Sequence, residues 1–341
     1  MQDDMETRTT QDGTLIAARS LRLSCAALGY AMAFAAAVIW GTLGIFAKFI
    51  YRYDVDPVVL VSLRGSIAFV TLIALLAVRD RSKLHVGRED LWFFAVFGLV
   101  GVALNYTAYF ESLRRTTATT AVILLYTSPV YVTLGAAAFF AERLTRAKVI
   151  ALVVTFAGCF LVAGGYDSRL LALNPAGTLF GLGAAVTYAS YTLLSKQALK
   201  KYSSWTSVLY AFGFGSLFLL IFAGGRLGSV TALPLQAWLL ILGLAWGPTL
   251  AAYALYVRSL NYIEASHAGI VCMAEPAATA ILAYAILGER LAPWQLVGAT
   301  LVLAGVFILQ TPPAESRIRG RRGPRRVPHE GGGVRRGGDV S

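Results

Sequence analysis

Long apolar stretches separated by short clusters of charge, glycine and proline run almost the whole length of this chain. A bilayer core about 30 Å thick takes about 20 apolar residues per helix. On that measure the pattern predicts ten membrane-spanning helices, at 28–49, 57–78, 91–111, 117–140, 146–164, 176–197, 205–223, 237–258, 265–287 and 293–310. The connecting segments are short and leave no extramembrane domain to hold a soluble active site. Arg114 and Arg115 alone separate the third span from the fourth.

Composition agrees with the pattern. Hydrophobic residues make up 57% of the chain and charged residues 14%, against about a quarter charged in an average soluble protein. The net charge of +12 would suit a nucleic-acid binder, but eight of the thirty Lys and Arg follow Gln310 in a single tail. Cys25, Cys159 and Cys272 are far apart, so neither a metal centre nor a disulfide framework is expected. No cofactor is implied. The first 27 residues carry Asp3, Asp4, Glu6 and Asp12, a poor match to the basic start of a cleavable leader. Lys and Arg in the loops sort 14 to one side and 7 to the other when the N-terminus is cytoplasmic. By the positive-inside rule both termini are expected in the cytoplasm, in a multi-pass protein of the inner or plasma membrane.

The chain also repeats itself. Residues 36–48 align with 184–196 at an offset of 148, and 117–162 align with 264–309 at an offset of 147. Within that register Pro129 matches Pro276, Glu142-Arg143-Leu144 matches Glu289-Arg290-Leu291, and Gly158 matches Gly305. Tyr106 and Tyr109 match Tyr253 and Tyr256. Apolar composition alone would not bring Pro and Glu-Arg-Leu into register. The expected domains are an N-terminal cytoplasmic segment 1–27, a five-helix repeat 28–164, a linker 165–175, a second repeat 176–310 and an Arg/Gly-rich tail 311–341. An odd number of helices per unit inverts the second copy relative to the first. Inverted repeats pack around a pseudo-two-fold axis in the membrane plane and share a site near its middle. The expected fold is therefore all-α integral membrane, ten helices in two inverted five-helix repeats around a central cavity. Gly29, Ala33, Ala37 and Gly41, and in the second copy Gly177, Gly181, Ala185 and Ala189, form stripes of small residues for close helix packing.

Trp40-Gly41, Ser128-Pro129-Val130 leading to Glu142-Arg143-Leu144, and Glu275-Pro276 leading to Gly288-Glu289-Arg290-Leu291 resemble the EamA family of the drug/metabolite transporter superfamily. The resemblance spans residues 28 to 310, with Ala141 standing where the family pattern has glycine. It implies a small-metabolite carrier, in bacteria often an exporter of amino acids or related compounds. It also implies a central cavity lined by the first, third, fourth, sixth, eighth and ninth helices.

Among eighteen acids, only Glu275 falls deep within a predicted span. An acid at a helix centre costs roughly 2.5–3.5 kcal/mol on insertion scales, so it must face protein or a wet cavity. Glu275 is accordingly the leading candidate for substrate or proton handling. Pro276 frees a helical carbonyl beside it. Arg64 is the one base well inside a span, either as the structural ion-pair partner of Glu275 or as a holder of a substrate carboxylate. Tyr106 and Tyr109 with Asn105, and Tyr253 and Tyr256 in the second copy, present rings three positions apart on one helix face. Trp40 and Tyr188 sit mid-span at matching positions and join them as candidates for the cavity wall. His267, near the start of its span, completes the set, with a hydrogen-bonded packing role as its plainer reading. Lys48 and Lys196 are expected to snorkel toward the interface.

A secondary carrier is the favoured function. A passive channel is the alternative, and an embedded enzyme is disfavoured because no HExxH helix, GxSxG elbow or second embedded acid accompanies Glu275. The expected partners are a small-molecule substrate and the bilayer, with anionic lipid rather than nucleic acid at the disordered basic tail. The pattern fixes no oligomeric state and is compatible with a monomer.

Overall fold

The computed structural model describes residues 24–171, 174–288 and 290–310. The tail 311–341, Glu289 and all but the last four residues of the N-terminal segment lie outside them. Those four residues already belong to a helix. Among the described residues every regular element is helical. In chain order these are α1 (Ser24–Tyr53), α2 (Pro57–Arg79), α3 (Arg88–Arg115) and α4 (Ala118–Phe140). Then come α5 (Arg146–Val162) and α6 (Pro175–Ala198), followed by α7 (Ser204–Gly228), α8 (Leu235–Ser259), α9 (Ala265–Leu287) and α10 (Pro293–Gln310). Seven of them, α1–α4 and α7–α9, are long and apolar enough to cross a membrane. α5 is short, and α6 is diluted by Gly, Thr and Ser.

Short polar signals start the helices. Asp56 accepts hydrogen bonds from the Val58 and Val59 amides ahead of Pro57, and Asn174 accepts one from Gly177 ahead of Pro175. Thr117, Thr145 and Ser203 cap α4, α5 and α7 in the same way. Each satisfies a backbone donor that the helix leaves unpaired, and proline fits the first turn because it has no N–H to lose. Large apolar side chains lie on the outer surface: Val78, Phe139 and Leu179 are all more than 70% exposed. Exposed apolar area on that scale suits a lipid environment rather than water.

The duplication reaches into the irregularities of the helices. A π-helical stretch interrupts α3 at Phe97–Leu104 and α8 at Ala245–Ala251. α4 breaks between Leu125 and Ser128, and α9 between Cys272 and Glu275. α4 ends on Ala141 and α9 on Gly288, both with left-handed backbone at φ 54° and 66°. The interruptions fall at the same repeat positions in the two halves.

Contacts between the halves are reciprocal as well. A Cβ on Gly158 would come within 2.6 Å of the Gly298 carbonyl and 2.7 Å of Val302, and one on Gly305 within 2.4 Å of Thr155 and 3.0 Å of the Ala151 carbonyl. Shifted by the repeat offset, each set becomes the other. Residue i touching j while the counterpart of j touches the counterpart of i is the signature of two copies facing each other across a two-fold axis. The small-residue stripes serve the same exchange. In α1, Gly29 abuts Tyr262 and Ile263 after α8, and Gly41 abuts α9 at Ala278. In α6, Gly177 abuts Arg115 and Thr116 at the end of α3, and Gly181 abuts α4 at Leu124.

Candidate functional site

A cavity of about 750 Å³ lies among these helices. Glu275 stands in its wall because the break in α9 at Met273–Ala274 restarts the helix there, with Pro276 in the first turn. Restarting the helix turns the side chain inward, and the Thr279 hydroxyl returns to the Glu275 carbonyl at 3.0 Å. The Glu275 carboxylate makes no hydrogen bond or ion pair with any described residue. The Arg64 pairing weighed from sequence is therefore absent at ion-pair distance, although both residues line the cavity.

Arg64, 5% exposed, reaches in from α2. Its guanidinium lies over the Tyr106 ring, 4.6 Å from the centroid, and donates to the Tyr106 hydroxyl. That hydroxyl is 3.3 Å from the hydroxyl of Tyr253, its counterpart 147 residues on. Equivalent residues can meet only where the two copies face each other, so this tyrosine pair marks the middle of the site. Tyr253 is boxed by Trp40, Tyr191 and Phe212, with ring centroids 4.9, 5.1 and 4.9 Å away. The indole N–H of Trp40 is buried without an acceptor.

Of the residues singled out from sequence, Trp40, Arg64, Asn105, Tyr106, Tyr109, Tyr188, Tyr253 and Glu275 all line the cavity. Asn105 is partly committed, donating to the Ala184 carbonyl of α6 at 2.8 Å. Two residues stand elsewhere. Tyr256 is 1% exposed, packs on Trp40 and bonds the Thr192 hydroxyl at 2.6 Å. His267 lies near the start of α9, with Nδ1 2.6 Å from the Tyr30 hydroxyl. The cavity also takes in α2, absent from the helix set implied by the resemblance, and adds Tyr51, Tyr126 and Thr279. Tyr126 could have been found from its place two residues before Ser128-Pro129, at the break that matches the one at Glu275.

From Glu275 the cavity reaches the helix ends at one side of the bundle, where it is lined by Tyr51, Leu113, Ala118, Ala163, Arg290 and Gln295. This end is the open face. On the far side of Glu275 lies a pocket of about 30 Å³, among Tyr126, Ser128, Tyr188, Gly269 and Cys272, room for about one water molecule.

Beyond it the opposite end is shut. Glu142, just after α4, accepts from the Ala265 amide at 2.7 Å and from the Ser266 amide and hydroxyl at 3.2 and 2.5 Å. A carboxylate there satisfies the unpaired donors and the positive end of the α9 dipole. Lys148 of α5, 2% exposed, lies 3.6 Å from Glu142 and is also paired with Glu264. Burial pushes the Glu142 carboxyl up, but hydrogen bonds from Ser266 and the Ala265 amide, with Lys148 beside them, hold it below the ordinary glutamate value. Lys196 does not snorkel: it donates to the Leu260 and Ile263 carbonyls at 2.5 and 3.0 Å, tying α6 to the α8–α9 turn. This closed face was invisible as a site in the sequence, where Glu142 served only as a family marker and Lys148 as a loop charge.

Known proteins bear the same pattern. The EamA-like transporter family model matches residues 27–164 and again 175–311. An uncharacterized transporter of Archaeoglobus fulgidus is 31% identical over 288 residues, covering 83% of this chain and 97% of its own. The uncharacterized inner membrane transporter YicL of Salmonella typhimurium is 26% identical over 84% of this chain and 95% of its own. YwfM, an uncharacterized transporter of Bacillus subtilis, is 27% identical over 83% of this chain and 93% of its own. A solved crystal structure superposes with a TM-score of 0.70 at 20% identity, over 86% of this chain and 99% of that one, a likeness of fold. Matched in both halves and across most of its length, the chain belongs to the EamA-like transporter family of membrane proteins.

Proposed function

We propose that the protein is a secondary transporter that exports a small metabolite, an amino acid or related compound, by alternating access. In this reading ten helices cross the membrane as two inverted five-helix halves, 28–164 and 176–310, and both termini are cytoplasmic. The open face then points outward and the closed face inward. The observation that carries the reading is a cavity with an unpaired carboxylate at a helix break, open at one end and sealed at the other by contacts between the two copies. A single occupied site between two faces that open in turn is what inverted repeats produce by rocking. The sealed face argues against a passive channel.

Within the cavity Arg64 and Glu275 supply one charge of each sign, and Arg290 adds a second positive charge at the mouth. An α-amino acid is complementary to Arg64 and Glu275: its carboxylate suits the guanidinium fork and its ammonium suits Glu275. The tyrosines and Trp40 offer apolar rings with polar edges to the remainder of the solute. Glu275 is also the group placed to exchange a proton for the solute. In this reading the arginine-rich tail contributes attraction to anionic lipid.

Counterflow of labelled amino acids in proteoliposomes, with and without an imposed pH gradient, tests the reading. Saturable exchange is expected, falling about a hundredfold in Glu275→Gln, the loss that follows when a charge-assisted contact is removed in a water-poor site. Undiminished exchange in that variant would take Glu275 out of the mechanism. Conductance far above carrier turnover in a planar bilayer would replace the carrier with a channel.

A further inference from the structure

The two faces can be compared residue by residue. Shifting the closed face by the repeat offset of 147 carries Glu142 onto Glu289, Glu264 onto Thr117, Ala265 onto Ala118, Ser266 onto Thr119 and Lys148 onto Gln295. At the closed face the start of α9 is plugged by the Glu142 carboxylate, and Lys148 bridges Glu142 to Glu264. At the open face Thr117 caps its own helix through the Thr120 amide at 3.1 Å. Ala118 and Gln295 there both line the cavity mouth. Gln295 turns away to the Ala292 amide and the Val162 carbonyl, at 2.9 and 3.2 Å.

The contacts are thus not merely made at one end and parted at the other. The residues available to make them differ in part: Glu142 has an acidic counterpart in Glu289, whereas Glu264 and Lys148 are replaced by Thr117 and Gln295. Lys148 and Glu142 are buried as a pair. Breaking a buried pair by removing one partner is strongly destabilising, because the other charge is left without a partner. Opening the closed face must hydrate Lys148 and free the first amides of α9. At the open face the counterpart of Glu142 is also an acid, Glu289, but threonine and glutamine stand at the positions of Glu264 and Lys148, so no base is available at the Lys148 position to bridge two acids.

Resting on the alternating-access reading above, we infer that Glu142, Lys148 and Glu264 form an ionic gate, and that the protein favours the conformation open at the other face because Thr117 and Gln295 cannot form its equal. The three residues do not touch solute. They set the balance between the two conformations that present Glu275 to either side. The groups facing this gate are His267 and Tyr30 from α9 and α1, and Lys196 from α6. Of these, Lys196 binds backbone carbonyls, and His267 bonds Tyr30 through Nδ1 while its Nε2 lies 3.8 Å from Glu264, so among the described residues Lys148 is the one cation at ion-pair distance from Glu142.

Alkylation by a membrane-impermeant maleimide tests the gate without requiring any solute. Cys272, buried beyond Glu275 on the closed side, is a natural reporter once Cys25→Ser and Cys159→Ala remove the other thiols. Ala283→Cys, in the cavity wall, reports the open side. Lys148→Gln, which gives the closed face the residue of its counterpart, should raise Cys272 labelling from that face about tenfold and lower labelling of Ala283→Cys, the scale of a typical conformational coupling. Should Lys148→Gln fold poorly, the double variant Thr117→Glu with Gln295→Lys decides alone. It lies at the cavity mouth and should slow labelling of Ala283→Cys by installing the missing pair. Labelling rates unchanged within about twofold in the double variant, and in any folded Lys148→Gln, would overturn the gate. Shifted labelling in a protein that moves no solute would keep the gate and remove the carrier reading. Solute exchange with unshifted labelling would remove the gate alone.

Discussion

Tyr109 and Tyr256 hold the same place in the two halves of the chain, yet one lines the cavity and the other is sealed in the core. The difference is traceable to one atom group. Tyr256 is held by the hydroxyl of Thr192, and the counterpart of Thr192 is Gly44, which has no side chain to offer. Where the second copy ties its tyrosine down, the first leaves space, and Gly44 is itself part of the cavity wall. The charges follow the same logic. Glu275 stands where the first copy has Ser128, and Arg64 over Tyr106 stands where the second copy sets Phe212 against Tyr253. Duplication supplied a two-fold frame; single departures from it, some in each half, made the site and its orientation.

Restoring equivalence at Gly44 is the most direct way to break the comparison. Gly44→Thr would give Tyr109 the partner that Tyr256 already has. The nearest atom to a new Cβ, Thr279 Cγ2, is 3.7 Å away, so the helix packing accommodates it. Drawing Tyr109 toward the wall and adding a side chain to the cavity should raise the KM for exchange about tenfold, in line with the loss of one good contact. Stability in detergent should be unchanged. An unaltered KM would mean that Tyr109 and the space beside Gly44 do not meet solute.

How much of this was legible in the sequence depends on what each feature rests on. The helices were legible because a bilayer demands apolar length, and the duplication because Pro129/Pro276 and Gly158/Gly305 kept their register. Glu275 and Arg64 were legible because charges inside apolar spans are costly enough to be rare. The helix breaks ahead of Ser128 and Glu275 were signalled only by Pro129 and Pro276, because the turns themselves, at Tyr126–Thr127 and Met273–Ala274, carry no glycine and read as ordinary apolar helix. The closed face was not legible. It joins Glu142 to Ala265, 123 residues away, and a lone acid beside a helix end announces nothing about which helix it will cap. Tyr256 was placed in the cavity wall by its likeness to Tyr109, and that inference failed because Thr192 and Gly44 differ.

A smaller effect separates the closed face from the open one through pH. The Glu142 carboxyl is held below its ordinary value in the folded protein. A group whose value is depressed on folding adds stability that is fully present above its unfolded pKa and is lost as pH falls through the folded one. Wild-type thermal stability in detergent should therefore hold near neutrality and drop once pH falls below about 4, the ordinary carboxylate range. Glu142→Gln should be less stable at pH 7, with the gap to wild type narrowing in acid. Lys148, Glu264 and His267 lie in the same cluster, so the narrowing of the gap between the two proteins, rather than the wild-type curve alone, is the quantity to read. A constant gap across that range would mean that Glu142 is not ionised in the seal.

The smallest expected effect concerns the turn that carries Glu142 to its place. Ala141 and Gly288 end equivalent helices with nearly the same left-handed backbone, at φ 54° and 66°. That region costs a residue with a Cβ roughly 1–2 kcal/mol and glycine almost nothing. The strain at Ala141 is tolerated because the turn is held from both sides: the Glu142 amide returns to the Ala136 carbonyl at 3.2 Å while the Glu142 side chain binds α9. Ala141→Gly should relieve the strain but loosen the unfolded chain, for a net gain of about 0.5–1 kcal/mol. Gly288→Ala, with no atom within 4 Å of the added Cβ, should lose a comparable amount through backbone conformation alone. Chemical denaturation of the two variants would sharpen the comparison of the halves: gains and losses of opposite sign mean that both turns are set by the same backbone geometry, whereas a loss in Ala141→Gly would mean that the Ala141 methyl group itself holds Glu142 in the seal.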